Sequence, residues 1–231
     1  MKKSNKLLLA GFLVFVLSVA ASQIILYANY KSGNYSIYRV ESDPEFEVIE
    51  AFAGVKNVKI ENLSTASVVL SDAALVKEDY KHLIELIRNG ETMLIRGKVR
   101  INWDDSSDQV LLHLPVTIPI SMQNSTIIFR GGKMEQGRNA SFDLQQANAI
   151  FSGDRVPLAL DNLKIIASQN SNASINANAT INKTEVQLSN SSIAVNGANP
   201  GDITIVTDSL SRISLPYRIL TTAKITTHPG D

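Results

Sequence analysis

The amino-acid sequence predicts an all-β fold, built as a parallel β-helix (a solenoid) of short stacked strands that follow an N-terminal transmembrane helix. Three observations predict the solenoid. Apolar and polar residues alternate with period two, as in strands that bury one face. Short aliphatic pairs recur about every twenty residues in the second half of the chain. Asparagine, which tolerates left-handed backbone at tight corners, occurs nine times between residues 162 and 199. The alternative is an antiparallel β-sandwich of short strands.

The repeats after residue 160 form two series of apolar pairs that interleave along the chain. Successive pairs start 23 and 17 residues apart in the first series, and 18 and 20 residues apart in the second. Loose repeats of this length are typical of solenoid turns, each of which buries its apolar face on the next. The first series is Leu163/Ile165, Val186/Leu188 and Ile203/Ile205, and the second is Ile175/Ala177, Ile193/Val195 and Ile213/Leu215.

A hairpin and a strong strand are predicted before the repeats. Asn89-Gly90 lies between two apolar runs and is a strong hairpin signal, so we expect a hairpin over residues 83–95, after a possible helical turn. Residues 94–103 alternate between apolar and basic side chains. Arg96, Lys98 and Arg100 should therefore share one face of a strand.

The first thirty residues predict a membrane segment. The apolar run Leu7–Ala28 has twenty-two residues, enough to cross a bilayer as a helix, and Lys2, Lys3 and Lys6 precede it. The positive-inside rule then places the N-terminus in the cytoplasm and exports the rest. A cleaved signal peptide with a periplasmic or secreted product is the alternative, but the run is longer than a signal core of about 7–15 residues.

Composition limits the domain organisation and the partners. We divide the chain into a cytoplasmic tip and anchor (1–32), an N-terminal β region with hairpins (33–115) and Asn/Ser-rich solenoid repeats (116–231). Residues 1–32 hold four lysines and no acid, so the exported part has 18 basic and 22 acidic residues. This balance argues against nucleic acid as a partner, which requires a basic excess. The chain has no cysteine, which excludes disulfides and thiolate metal sites.

No set of residues predicts catalysis, a metal or a cofactor. Asp104, Asp105 and Asp108 lack the spacing of a calcium loop and fit a hairpin turn. The three histidines share no ligand spacing, and Arg130-Gly131-Gly132-Lys133 fits a turn between repeats better than an anion cradle. The candidate contact residues for an anionic polymer are Arg96, Lys98 and Arg100; the simpler interpretation is a solvated strand face whose charges discourage edge pairing.

Four short motifs follow one another in a characteristic order: the export segment, Phe52-Ala53-Gly54-Val55, the hairpin at Asn89–Ile95, and a strand that ends in Leu114-Pro115 before the β repeats. In this order the chain resembles the auto-transporter adhesin head domain family of bacterial cell-envelope proteins, over about residues 46–226. The resemblance implies a right-handed β-solenoid displayed in the envelope. It implies no activity and no catalytic residues.

These observations favour a non-catalytic, membrane-anchored envelope solenoid with a structural, adhesive or polymer- or protein-binding role. Envelope polysaccharide or another envelope protein is the expected partner, besides the membrane at residues 7–28. A carbohydrate-active enzyme on a β-helix scaffold is the alternative, although only Tyr217 supplies an aromatic ring after Phe151. A third hypothesis is an assembly that stacks through solenoid ends, which an apolar, uncapped final turn near Ile213 to Ile225 would support.

Overall fold

The computed structural model describes Gln23 and residues 46–64, 66–98, 110–134, 138–153 and 156–227. The chain divides into two compact units, Met1–Asp43 and Pro44–Asp231, and every described strand belongs to the second. No helix among the described residues is long and apolar enough to cross a membrane. The predicted membrane segment, residues 7–28, lies outside the described residues except for Gln23.

Eighteen strands are described, together with two short 3-10 helices and one short α-helix. The 3-10 helices are Glu50–Phe52 and Glu78–Leu83, and the α-helix, α1, is Tyr217–Leu220. The strands are β1 (Phe46–Val48), β2 (Asn57–Glu61), β3 (Ala66–Ser71), β4 (Leu75–Lys77), β5 (Ile84–Asn89), β6 (Thr92–Gly97), β7 (Val110–Pro115), β8 (Ile120–Gln123), β9 (Thr126–Gly131), β10 (Asn139–Gln145), β11 (Asn148–Ser152), β12 (Leu158–Ser168), β13 (Asn172–Asn176), β14 (Ala179–Ser189), β15 (Ser192–Asn196), β16 (Asp202–Thr207), β17 (Arg212–Ser214) and β18 (Lys224–Thr227).

The strands form two sheets of nine, and each turn of the chain contributes one strand to each sheet. Sheet I has the order β1-β4-β7-β3-β9-β11-β13-β15-β17, and sheet II has the order β18-β16-β14-β12-β10-β8-β2-β6-β5. From β8 onward all neighbours pair in parallel. The predicted β-solenoid is therefore confirmed, and the antiparallel β-sandwich is wrong.

The turns at the N-terminal end of the stack do not follow chain order. The first turn, β2–β3, lies between the second turn, β6–β7, and the third, β8–β9. Beyond β6–β7 the neighbours become antiparallel: β5 covers β6 in sheet II, while β4 and then β1 cover β7 in sheet I. Strands on both sides of the predicted boundary at residues 115–116 therefore share the same two sheets.

The hairpin at Asn89-Gly90 is confirmed, with a small difference in its turn. Because Asn89 pairs with Thr92, the two loop residues are Gly90 and Glu91 rather than Asn89 and Gly90. Gly90 has φ +62°. Two-residue hairpin loops favour positive φ at their first residue, and glycine adopts this conformation without strain. The 3-10 turn Glu78–Leu83 supplies the predicted helical turn before β5.

The interior consists of columns of apolar side chains, one residue for each turn. One column runs through Met93, Val58, Ile120, Phe142, Ile165, Val186, Ile205 and Ile225. Three phenylalanine rings meet at its centre, because Phe129 and Phe151 of sheet I pack against Phe142 of sheet II. All three rings are at most 2% exposed, so this cluster is the most hydrophobic part of the core.

The predicted apolar pairs do stack, but mostly with a shift of two residues. Ile193 pairs with Ile213, as predicted. In contrast, Val186 pairs with Ile165 rather than Leu163, and Ile193 pairs with Ala173 rather than Ile175. A shift of two residues keeps every apolar side chain on the inner face, so the pattern of burial is unchanged.

The corner that leads from sheet II to sheet I repeats one backbone arrangement. At five of these corners six residues have positive φ, between 46° and 63°; four of the six are asparagines, as the sequence predicts, and two are the glutamines Gln146 and Gln169. The residue that follows is often a serine whose Oγ accepts the N–H of the equivalent residue in the neighbouring turn of the stack. These pairs are Leu63 to Ser125, Ala147 to Ser171, Ser171 to Ser191 and Ser191 to Ser211, at 3.1–3.2 Å. The serines therefore join successive turns in the interior, where water cannot satisfy the N–H groups.

Replacing Ser171 by alanine is expected to lower the free energy of unfolding by about 1–3 kcal/mol, because the buried N–H of Ala147 loses its acceptor. Ser171 is 1% exposed. Urea denaturation of both chains measures the loss. The matched control is Ser192→Ala, whose Oγ bonds at an exposed position. Equal stability of the two variants would contradict a structural role for the serine column.

Candidate functional site

The outer face of sheet II carries polar side chains in columns. One column, on β10, β12, β14 and β16, consists of Asn139, Asn162, Lys183 and Asp202. The next consists of Ser141, Lys164, Glu185, Thr204 and Lys224. Because parallel strands lie about 4.8 Å apart, each column repeats a polar group at that interval along the solenoid.

A shallow depression of about 470 Å³ lies on these two columns and is also lined by Thr117, in the connection between β7 and β8. Its polar lining is Thr117, Asn139, Ser141, Asn162, Lys164, Lys183 and Glu185, and Ala140 and Leu163 complete the lining. Strands β10, β12 and β14 hold these groups rigidly, because their alternate residues are buried in the core.

The asparagines of the depression are partly hydrogen-bonded to each other. The Asn162 Nδ2 donates to Asn139 Oδ1 at 2.6 Å, as expected for an amide ladder between turns. This bond fixes both amide groups in orientation. It uses one donor of Asn162 and one acceptor of Asn139, so each amide keeps further donors and acceptors directed away from the bond. Such groups suit hydroxyl-rich ligands.

The depression holds two lysines in different electrostatic states. Lys183 Nζ lies 2.6 Å from Glu185 Oε1, and this hydrogen-bonded pair raises the pKa of Lys183 and lowers the pKa of Glu185. Lys164 forms no salt bridge with any described residue, although its charge also helps to lower the pKa of Glu185. Lys164 is therefore the cation of the depression that remains available to an anionic group.

The residues predicted to contact an anionic polymer lie elsewhere on sheet II. The guanidinium of Arg96, on β6, lies 3.2 Å from a Glu61 carboxylate oxygen on β2 and 3.8 Å from a Glu85 oxygen on β5. Lys98 follows the end of β6, and its N–H donates to the carbonyl of Leu83. Arg100 lies outside the described residues. The carboxylates of the flanking strands offset the charge of Arg96.

The glycine motif at residues 130–133 and His113 both lie where they contribute to the packing of the fold. A Cβ on Gly131 would lie 2.3 Å from the carbonyl oxygen of Pro157, so this glycine permits close approach of two backbone segments. His113 is 2% exposed within β7. Asp104, Asp105 and Asp108 lie outside the described residues, and within those residues no three metal-ligating side chains cluster.

Sequence reasoning missed the depression because its residues come from three different turns. Asn139, Asn162 and Lys183 are 23 and 21 residues apart, so they share a column only if the register of the turns is known. The signal was present in the sequence as polar residues that recur at intervals close to the length of the repeat.

No family model matches the sequence, and no curated protein matches it significantly. Among solved structures, the chain is similar to one described as a "putative cell adhesion protein" from Clostridium sporogenes. The two share 11% sequence identity with a TM-score of 0.28, and the match covers 79% of this chain and 98% of the other.

Proposed function

We propose that the protein is a non-catalytic β-solenoid of the bacterial cell envelope whose sheet II face binds an extended, acidic polysaccharide in a structural or adhesive role. The observation that carries the proposal is the depression on β10, β12 and β14, whose lining combines the hydrogen-bonded amides of Asn139 and Asn162 with Lys164. Amide groups match sugar hydroxyls, and a lysine that forms no salt bridge with a described residue matches a carboxylate or phosphate on the polymer.

The shape of the face also supports a polymeric ligand. The polar columns continue beyond the depression to Asp202 on β16 and to Lys224 on β18. A parallel sheet whose outer face repeats about every 4.8 Å can contact an extended chain at several points, so that weak individual contacts add to a useful avidity.

The proposal places the solenoid outside the cytoplasm, as a single-pass membrane protein. The apolar run of residues 7–28 and the lysines before it support an anchor with the C-terminal part exported. Cleavage that leaves a mature N-terminus near Ser22 or Gln23, with release of a periplasmic or secreted solenoid, is the alternative. Mass spectrometry of the N-terminus in the membrane fraction distinguishes the two.

Replacing Lys164 by glutamate is expected to weaken binding of a soluble polyuronate about tenfold, because the change replaces an attraction for carboxylates with a repulsion. Microscale thermophoresis of the full chain in detergent measures the affinity for the polyuronate. The same measurement with neutral dextran shows how much of the affinity depends on the charge of the polysaccharide.

The matched control for Lys164→Glu is Lys56→Glu, which makes the same change of charge at an exposed position outside the depression. If both substitutions weaken polyuronate binding equally, or if neither weakens it, the depression is excluded as the binding site.

A further inference from the structure

The two ends of the solenoid differ, and together they hold most of the large apolar side chains that are exposed in the described part of the chain. We call the end formed by residues 209–227 the tail. The head is the opposite end, residues 46–52 and 75–91. Among the described residues six large apolar side chains are exposed: four belong to the tail, and Val48 belongs to the head. The four in the tail are Leu210, Tyr217, Leu220 and Ile225, which are 40–80% exposed.

The exposure of the tail results from an interrupted core. Ile205 and Ile225 are neighbours in the same interior column, yet Ile205 is 0% exposed and Ile225 is 40% exposed. No described strand covers β18 or β17 on its outer side. The last turn therefore presents an apolar column end and two open strand edges, which are the groups that a further turn would cover.

The numbers of strands at the two ends are complementary. At the tail, sheet II extends one strand beyond the last complete turn, because β18 has no counterpart in sheet I. At the head, sheet I extends one strand beyond sheet II, because β4 and β1 lie beyond β7 whereas only β5 lies beyond β6. A second copy placed head to tail would thus fit as a stepped joint, with β1 beside β17 and β5 beside β18.

The charges of the two ends are also complementary. The tail contains the basic residues Arg212, Arg218 and Lys224 and no acidic residue. The carboxylate of Asp208, directly before it, accepts hydrogen bonds from Leu210 N–H and Ser211 Oγ, so three positive charges face one negative charge at this end. The head contains six acidic residues and three basic ones. Tail-to-tail contact would bring like charges together, whereas head-to-tail contact brings opposite charges together. From the step, the open edges and the charges, we infer that the chain assembles head to tail with further copies of itself.

Assembly of this kind is heterologous and does not close, so its product is a filament rather than a dimer. Both sheets contain nine strands, so each copy adds nine strand spacings to each sheet. The axial repeat of the filament is therefore about 43 Å, at about 4.8 Å for each strand.

The test measures the size of the full chain in detergent by sedimentation velocity over a hundredfold range of concentration, with the axial repeat measured by electron microscopy. Three matched variants each place a lysine at an exposed apolar position: Ile225→Lys in the tail, Val48→Lys in the head and Val156→Lys in neither. Far-UV circular dichroism checks that each variant is folded, and Leu220→Lys replaces the tail variant if Ile225→Lys does not fold.

We expect the wild type and Val156→Lys to form assemblies that lengthen with concentration. The tail and head variants should each require about a tenfold higher concentration to associate, because each has one blocked end. An equimolar mixture of the two should give one-to-one dimers through the remaining intact ends. A wild type that stays monomeric over the whole range would overturn the inference. So would a Val48→Lys variant that dimerises alone, since that result indicates tail-to-tail contact.

Discussion

Replacing Phe129 by alanine is expected to lower the free energy of unfolding by about 3–5 kcal/mol, the range for removing a buried aromatic ring from a core. Phe129 is 0% exposed, and its ring centroid lies 4.6 Å from that of Phe142 and 5.3 Å from that of Phe151. The substitution removes one ring from a cluster that connects both sheets. Loss of the edge and stacking contacts adds to the cost of the cavity.

Urea denaturation of the full chain in detergent measures this loss. The matched control is Ile128→Ala on the same strand, because Ile128 points to the outer face and is only partly buried. A smaller loss is expected for the control. Similar losses for the two variants would show that the phenylalanine cluster contributes no more to stability than the surface of the sheet does.

Acidification is expected to destabilise the protein by about 3 kcal/mol between pH 6.5 and 4 through His113 alone. Burial lowers the pKa of His113 from 6.5 to about 4. The Phe46 ring and the imidazole are perpendicular, with centroids 4.9 Å apart, and Nδ1 has no hydrogen-bond partner among the described residues. Between these two pH values the unfolded chain binds a proton that the folded chain does not. Stability therefore decreases as the pH falls from 6.5 to 4, and this group causes no further change below about pH 4.

Comparison with His113→Leu isolates this contribution, because carboxylates also titrate in part of the range. Between pH 7 and 4 the free energy of unfolding should fall by about 3 kcal/mol less in the variant than in the wild type. His82→Gln, at an exposed position, serves as the control for replacing a histidine. Parallel pH profiles for wild type and His113→Leu would contradict a buried neutral imidazole.

The sequence is sufficient to predict the class of fold but not the way its turns are stacked. Alternation of period two shows which face of a strand is buried, and the spacing of the apolar pairs shows that turns repeat. Neither pattern distinguishes Leu163 from Ile165 as the partner of Val186, because both are aliphatic and lie on the same face. The register depends instead on the serine and asparagine corners, whose role becomes visible only when successive turns are superposed.

The order of the first turns and the candidate site could not be predicted for a related reason. Nothing in the alternation of residues 57–71 indicates that this turn lies between two turns that follow it in the chain. Arg96, Lys98 and Arg100 can be grouped from the sequence because they are close together in the chain. The depression at Lys164 depends on residues that only the stacking brings together.

The position of β2–β3 gives the two ends of the polypeptide unequal tolerance of truncation. Removing residues from the C-terminal side takes away one complete layer at a time, and each shortened chain still ends in an ordinary turn of the same kind. Removing residues from the N-terminal side as far as β3 takes away a layer that supports neighbours on both sides. Changes in the length of the solenoid are therefore expected to be accommodated at the C-terminal end, while the region before residue 116 behaves as an indivisible block.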